Sequence, residues 1–179
     1  MKKTAPAATP VRIPRGDRWI ADVARAAQAY KASAASCTQS IVAAFLDAFG
    51  WHEPMVLRVA TAFTAGMFSS LTCGIHAGGM IIVGLVAGRD DITDGLDGLL
   101  PSVQPAQKIV RRLNRRIGGH ACQQLTGVDF TDLEQAMAYH GSAAAAACTR
   151  RIHDGAEEIA LALQDLDAAG ELITKPRPA

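Results

Sequence analysis

The segment from Val59 to Gly88 contains no Asp, Glu, Lys or Arg, and this limits how the chain can fold more than any other feature. A segment of this length without charge must be buried in a protein core or in a bilayer. Residues 69–76 interrupt it with serine, threonine, cysteine and histidine. The two remaining apolar pieces are shorter than the about 20 residues that a spanning helix needs. We therefore expect two buried helices that meet at a polar turn, and no transmembrane segment.

The composition predicts a helical fold. Hydrophobic residues make up 49% of the 179 residues and aromatic residues only 5%. Alanine, the best helix former, supplies much of the apolar content. Runs of alternating β-branched residues, which indicate strands, are absent. We expect one all-α domain, a helical bundle with closely packed Ala- and Gly-rich helices, over residues 17–170.

Both ends of the chain differ from this domain in composition. Residues 1–16 are basic and proline-rich, and we expect a flexible arm there, followed at the other end by a flexible tail over residues 171–179. The arm lacks the apolar stretch of a secretory signal, so we expect a cytoplasmic protein.

Apolar periodicity predicts the individual helices. The expected helices are residues 17–30, 36–49, 54–67, 73–87, 105–117, 132–140 and 142–168, with an acidic loop at 89–104. The helix over 105–117 is basic and amphipathic, which indicates either a solvated face or a surface that attracts an acidic redox partner. The net charge of +1 and the lack of interleaved basic and aromatic residues argue against a nucleic-acid partner. A homo-oligomer is compatible with the sequence.

Four cysteines are spread along the chain, at Cys37, Cys73, Cys122 and Cys148. There is no CxxC pair, so spacing alone does not identify a metal site, and buried cysteine is often only a small hydrophobic residue. Cys37 and Cys148 lie on predicted apolar helix faces. Cys73 and Cys122 lie at or near predicted helix starts, where the helix dipole lowers the pKa of a thiol. Antiparallel packing of these helices would bring all four together.

Glycine and histidine residues lie beside two of these cysteines. Glycine allows the backbone to approach a bulky inorganic group, and its N–H can donate to sulfur. A histidine there can contact a ligand or move a proton, although ordinary hydrogen-bonded histidines are more common. The candidate cofactor-binding residues are Gly74, Gly78, Gly79, His76 and His120.

The cysteines and their neighbours resemble the C_GCAxxG_C_C family, small bacterial and archaeal proteins with four characteristic cysteines. Residues 73–78, CGIHAG, are similar, apart from one residue, to the glycine-containing motif at the family's second cysteine. Cys37, Cys122 and Cys148 correspond to its other cysteines, and the resemblance covers residues 30–155. It implies redox activity. A related module in some multihaem electron-transfer proteins is associated with an iron–sulfur cluster, which favours that cofactor.

Three functions are open at this point. In the first, the four cysteines bind a 4Fe–4S or 2Fe–2S cluster, and the protein exchanges electrons with a redox partner protein as a carrier more than as a stand-alone enzyme. In the second, cysteine pairs carry out thiol–disulfide exchange or sulfur transfer. In the third, the cysteines hold a structural zinc ion. A helical binding protein without any metal is the remaining alternative.

Overall fold

The computed structural model describes residues 10–175, which form α-helices and no named strand, so the predicted all-α, single-domain fold is confirmed. In chain order the helices are α1 (Asp17–Ala34), α2 (Cys37–Phe49), α3 (Pro54–Ala60), α4 (Gly74–Ala87), α5 (Gly95–Ile117), α6 (Cys122–Thr126), α7 (Leu133–Tyr139) and α8 (Ala143–Ala168). Two 3₁₀ turns, Thr61–Phe63 and Ile92–Asp94, and a tight turn over Gly66–Ser70 complete the ordered elements.

The last helix, α8, packs against both α1 and α5. α1 also packs against α2, and α4 lies between α2 and α5. The apolar face predicted for α8 is buried in this bundle, and Ile152, Ile159 and Leu163 have no exposed surface. Burial of each such side chain contributes about 1.5–3 kcal/mol, so this face is a main source of stability.

Small residues let α4 approach its neighbours closely. A Cβ added to Gly78 would lie 2.8 Å from Cβ of Ile41 on α2. A Cβ added to Gly79 would lie 3.2 Å from Cδ1 of Ile159 on α8. These two glycines, predicted to bind a cofactor, therefore lie at helix–helix contacts.

Three predicted helix boundaries are wrong. α1 continues past residue 30 to Ala34. α3 ends at Ala60 and does not reach Met67, because the backbone turns left-handed after residue 64. α5 begins at Gly95, inside the predicted acidic loop, and continues through Pro101 and Pro105. Proline lacks the N–H that an inner helical position donates, so the sequence signal for a helix is weak there.

The described parts of the predicted arm and tail pack against the bundle. Val11 and Ile13 are buried, as is Leu172 near the other end. The Val11 N–H donates to the carbonyl of Lys175 (3.0 Å), and the Lys175 N–H donates to that of Val86 (2.9 Å). Residues 1–9 and 176–179 lie outside the described residues, and the predicted domain boundaries stay predictions.

The basic face of α5 is used largely within the molecule. Arg112 and Arg116 both form ion pairs with carboxylates of α8. Arg111 and Arg115 are exposed. An acidic redox partner therefore stays a prediction. Between residues 10 and 175, no helix combines the length and apolar character needed to cross a membrane.

Candidate redox site around four cysteines

Three of the four cysteines lie at helix N-termini. Cys37 is the first residue of α2, Cys73 is the N-cap of α4 and Cys122 is the first residue of α6. Cys148 lies in the second turn of α8. All four are buried and free of disulfide bonds. The predicted helix start at Cys73 is confirmed, Cys122 begins a short helix that the expected helices did not include, and Cys37 lies at a third N-terminus.

Backbone pairing holds Cys73 and Cys122 side by side. Thr72 and Ala121 form an isolated antiparallel bridge. Next to it the Cys73 N–H donates to the carbonyl of His120 (2.7 Å), and the Cys122 N–H donates to that of Leu71 (2.6 Å). The starts of α4 and α6 are therefore fixed together by main-chain hydrogen bonds. Nothing in the sequence pattern indicated this bridge.

A left-handed turn leads into this bridge. Ala65, Gly66, Met67 and Phe68 have φ values of 52°, 65°, 62° and 50°. For residues with a side chain this conformation costs roughly 1–2 kcal/mol each. The hydroxyl of Ser70 fixes the end of the turn, because it accepts from the Phe130 N–H (2.6 Å). The turn brings the Phe68 side chain into the wall of a cavity.

That cavity, of about 380 Å³, is lined by Cys37, Cys122 and Cys148. Lys31 and Tyr139 form further parts of its wall. Three elements that are distant in sequence, the starts of α2 and α6 and the second turn of α8, thus present thiols to one space.

The fourth cysteine, Cys73, does not line the cavity but lies within electrostatic reach of the other three. Burial raises the pKa of its thiol from 9.0 to about 12, and negative charge on Cys37, Cys148 or Cys122 raises it further. The N–H of Ile75 opposes this rise only in part. The prediction of a lowered pKa at this helix start is wrong for the metal-free protein, because desolvation outweighs the helix dipole.

Burial has the same effect on two of the other cysteines, Cys122 and Cys148. Burial raises the pKa of Cys122 to about 12, and burial also raises the pKa of Cys148. The Tyr139 hydroxyl donates to the Cys148 sulfur and opposes the rise there. In the metal-free protein these thiols are therefore protonated and unreactive at neutral pH.

The four sulfur atoms are neighbours but do not form a closed metal site. Among residues 10–175, no three cysteine Sγ atoms lie within 4.8 Å of one another. Four thiolates bound to zinc at about 2.3 Å would be about 3.8 Å apart in a tetrahedron. The observed arrangement is wider than a preformed zinc site. Convergence of all four on one metal centre stays a prediction.

Lys31 is a residue of the site that sequence reasoning missed. Its side chain is buried, its Nζ donates to the carbonyl of Ala35 (2.8 Å), and it lies 5.8 Å from the centroid of the Tyr139 ring. One sequence signal was available: Lys31 continues the buried stripe of Ala24 and Ala27 on α1 at the same helical spacing. A charged residue on an apolar helix face indicates a buried partner or a site.

Of the predicted glycines, Gly74 alone is packed against a cysteine. A Cβ added to Gly74 would lie 2.2 Å from Sγ of Cys37. Gly78 and Gly79 pack against isoleucines, as described above. The glycine next to Cys73 therefore belongs to the site, and the other two belong to the core.

The two candidate histidines do not line the cavity. His76 is buried, and its Nε2 lies 3.0 Å from Oδ1 of Asn114 on α5. Burial lowers the pKa of His76, so the neutral ring donates to Asn114. His120 is exposed and contributes its main-chain carbonyl to the Cys73 N–H. The described residues offer no ring contact from either histidine to a cysteine sulfur.

A second group with metal-ligand chemistry lies on α8. His153, Asp154 and Glu157 have ligand atoms within 4.8 Å of one another. Arg116 already contacts the carboxylates of Asp154 and Glu157, each at 3.3 Å. The ion pairs with Arg116 explain why these carboxylates can lie close together with no need for a metal ion between them.

Comparison with known proteins identifies a family for most of the chain. Residues 35–161 match the family described as "Putative redox-active protein (C_GCAxxG_C_C)". The chain belongs to the C_GCAxxG_C_C family. The matched region contains all four cysteines and most of the helical bundle. Neither a curated protein nor a solved structure matches the chain.

Residues 73–78, CGIHAG, lie inside the matched region. Their similarity to the family's motif, apart from one residue, stays a prediction.

Proposed function

We propose that this member of the C_GCAxxG_C_C family binds an iron–sulfur cluster through its four cysteines and transfers electrons to a partner protein. The observation that carries the proposal is the set of four buried, free thiols in mutual electrostatic reach, three of which line one cavity. The ligands would be Cys37, Cys73, Cys122 and Cys148. A bound 4Fe–4S or 2Fe–2S cluster supplies reversible one-electron transfer.

The donor set fits such a group. Soft thiolates are the ligands that iron–sulfur clusters use, and four of them complete either type. No three of the sulfur atoms lie as close together as around a single zinc ion, as expected where the four ligands are divided among two or four irons. Cys37, Cys73 and Cys122 lie at helix N-termini, where the helix dipole stabilises negative charge, and the Ile75 N–H donates to the Cys73 sulfur.

The protein environment also favours the cluster over thiol exchange. Disulfide exchange needs a thiolate that is accessible to its target. Cys73 and Cys122 are buried, and their pKa values of about 12 keep them protonated at neutral pH. Metal binding overcomes the cost of deprotonating these buried thiols, because the thiol protons are released as the metal–sulfur bonds form. Buried thiols that are inert without metal thus suit a ligand set.

The test is anaerobic reconstitution of the purified protein with iron and sulfide. We expect a coloured protein that contains iron and sulfide and bleaches reversibly with dithionite. Replacement of Cys73 by Ser should remove most of the iron, because oxygen replaces a soft, covalent ligand. Thr38→Ser, a conservative buried change beside Cys37, is the matched control and should retain iron. A colourless wild-type protein, or one that holds only zinc, would contradict the proposal.

A further inference from the structure

In the described part of the chain, a buried ammonium group lies in the wall of the cysteine cavity without a carboxylate partner. Lys31 is 8% exposed. Among residues 10–175, no Asp or Glu oxygen lies within 4.0 Å of its Nζ. Lysine is almost never buried unless it is paired, because an isolated buried charge is costly. The position therefore needs an explanation beyond helix packing.

Two neighbours hold the ammonium in place. The Ala35 carbonyl accepts from Nζ at 2.8 Å, at the end of α1 where the helix dipole favours a cation. The face of the Tyr139 ring lies 5.8 Å from Nζ. Both neighbours carry only partial charges, so they position the ammonium without cancelling its unit charge.

The uncancelled charge acts on the cavity. Lys31 lies in the cavity wall together with Cys37, Cys122 and Cys148. Its charge lowers the pKa of Cys122 and of Cys148, against the larger effect of burial. The same field acts on any group that these sulfurs hold.

We infer that Lys31 is the counter-charge of the bound cofactor: a fixed cation that stabilises the anionic four-thiolate cluster and makes it easier to reduce. This inference rests on the proposed function. Four thiolates make the cluster anionic, and reduction adds one electron from an external donor. The attraction to a fixed cation grows with the negative charge, so Lys31 stabilises the reduced cluster more than the oxidised one.

Three variants of the full-length protein separate this role from a structural one. Lys31→Met removes the charge and keeps an unbranched apolar chain. Lys31→Arg keeps the charge. Lys108→Met is the matched control, because Lys108 lies outside the cavity wall and its Nζ pairs with Glu171 at 3.3 Å.

After anaerobic reconstitution we expect iron in the wild type and in all three variants. The reduction potential of Lys31→Met should be more negative than that of Lys108→Met, and Lys31→Arg should stay near the wild type. Cluster loading should raise the melting temperature less in Lys31→Met than in Lys108→Met. The reason is that Lys31→Met relieves a buried charge in the metal-free protein and loses an attraction in the loaded one.

The outcomes distinguish this inference from the proposed function. Equal potentials and equal gains in melting temperature for Lys31→Met and Lys108→Met, in proteins that bind iron, would overturn the role of Lys31 and leave the cluster standing. A wild type that binds no iron would overturn both. Should Lys31→Met not fold, Lys31→Gln, a neutral side chain with an N–H donor for Ala35, is compared with Lys31→Arg in the same measurements.

Discussion

The Sγ atom of Cys37 occupies the space where a side chain on Gly74 would begin. A Cβ added to Gly74 would lie 2.2 Å from this sulfur and 2.5 Å from Oγ1 of Thr38. Gly74 follows Cys73 directly at the start of α4, so the missing side chain lets Cys37 approach the helix end that carries Cys73.

Gly74→Ala should therefore destabilise the metal-free protein by about 1–3 kcal/mol, the usual cost of overpacking. Gly84→Ala is the control on the same helix, because a Cβ there meets no atom of the described residues within 4 Å. That variant should gain up to about 1 kcal/mol, since alanine is the better helix former. Urea denaturation measures both. If both substitutions stabilise the protein equally, the Cys37 side chain moves aside for the new Cβ with no loss in free energy of unfolding, and the prediction is wrong.

Gly155 on α8 likewise makes room for a large side chain on α4. A Cβ added to Gly155 would lie 2.4 Å from Cγ2 of Ile75, which is fully buried. Gly155→Ala should cost about 1–3 kcal/mol by overpacking, and Ile75→Ala about 2–5 kcal/mol by leaving a cavity. The double variant should lose about 0.5–3 kcal/mol less in free energy of unfolding than the sum of the two single losses. Additive losses in a double-mutant cycle would contradict direct size compensation.

The helices that could be predicted are those whose buried face is marked by apolar residues at helical spacing in their own sequence. Ile152, Ile159 and Leu163 recur at helical spacing, and this face packs inward as expected. Ser36 and Gly50 mark the ends of α2, and the structure confirms both. Local signals of this kind need no information from elsewhere in the chain.

The parts of the site that could not be predicted depend on contacts between distant segments. The bridge between Thr72 and Ala121 is a main-chain contact that side-chain patterns do not encode. The pKa of Cys73 follows from burial by the whole bundle, whereas the sequence shows only its position at a helix start. Lys31 lines the cavity only because α1 passes the space that other helices form.

The left-handed turn before Cys73 gives a third prediction. Met67 has φ 62° and is 39% exposed, so its strained backbone is not offset by a fully buried side chain. Met67→Gly should raise the free energy of unfolding by up to about 1 kcal/mol, since glycine adopts this conformation without steric cost. Met137→Gly is the control, because Met137 is exposed on α7 and has ordinary helical backbone. That change should lower stability by about 1 kcal/mol. A loss of similar size at both positions would mean that the turn is not strained.

The buried thiols predict that the metal-free, reduced protein loses stability in alkali. The folded state raises the pKa of Cys73 and of Cys122 from 9.0 to about 12. The stability linked to these shifts is fully present below pH 9, and it is lost as the pH rises towards 12, because the unfolded chain ionises its thiols first. Between pH 8 and pH 10 the free energy of unfolding should fall by on the order of 1–3 kcal/mol, with the larger part from Cys73. Anaerobic urea denaturation with a reductant at both pH values measures the loss.

The Cys73→Ala/Cys122→Ala variant is the control and should lose less over the same interval, because its two shifted groups are gone. A loss as large as in the wild type would assign the alkaline transition to other groups and would show that these two thiols ionise as readily in the folded protein as in the unfolded chain.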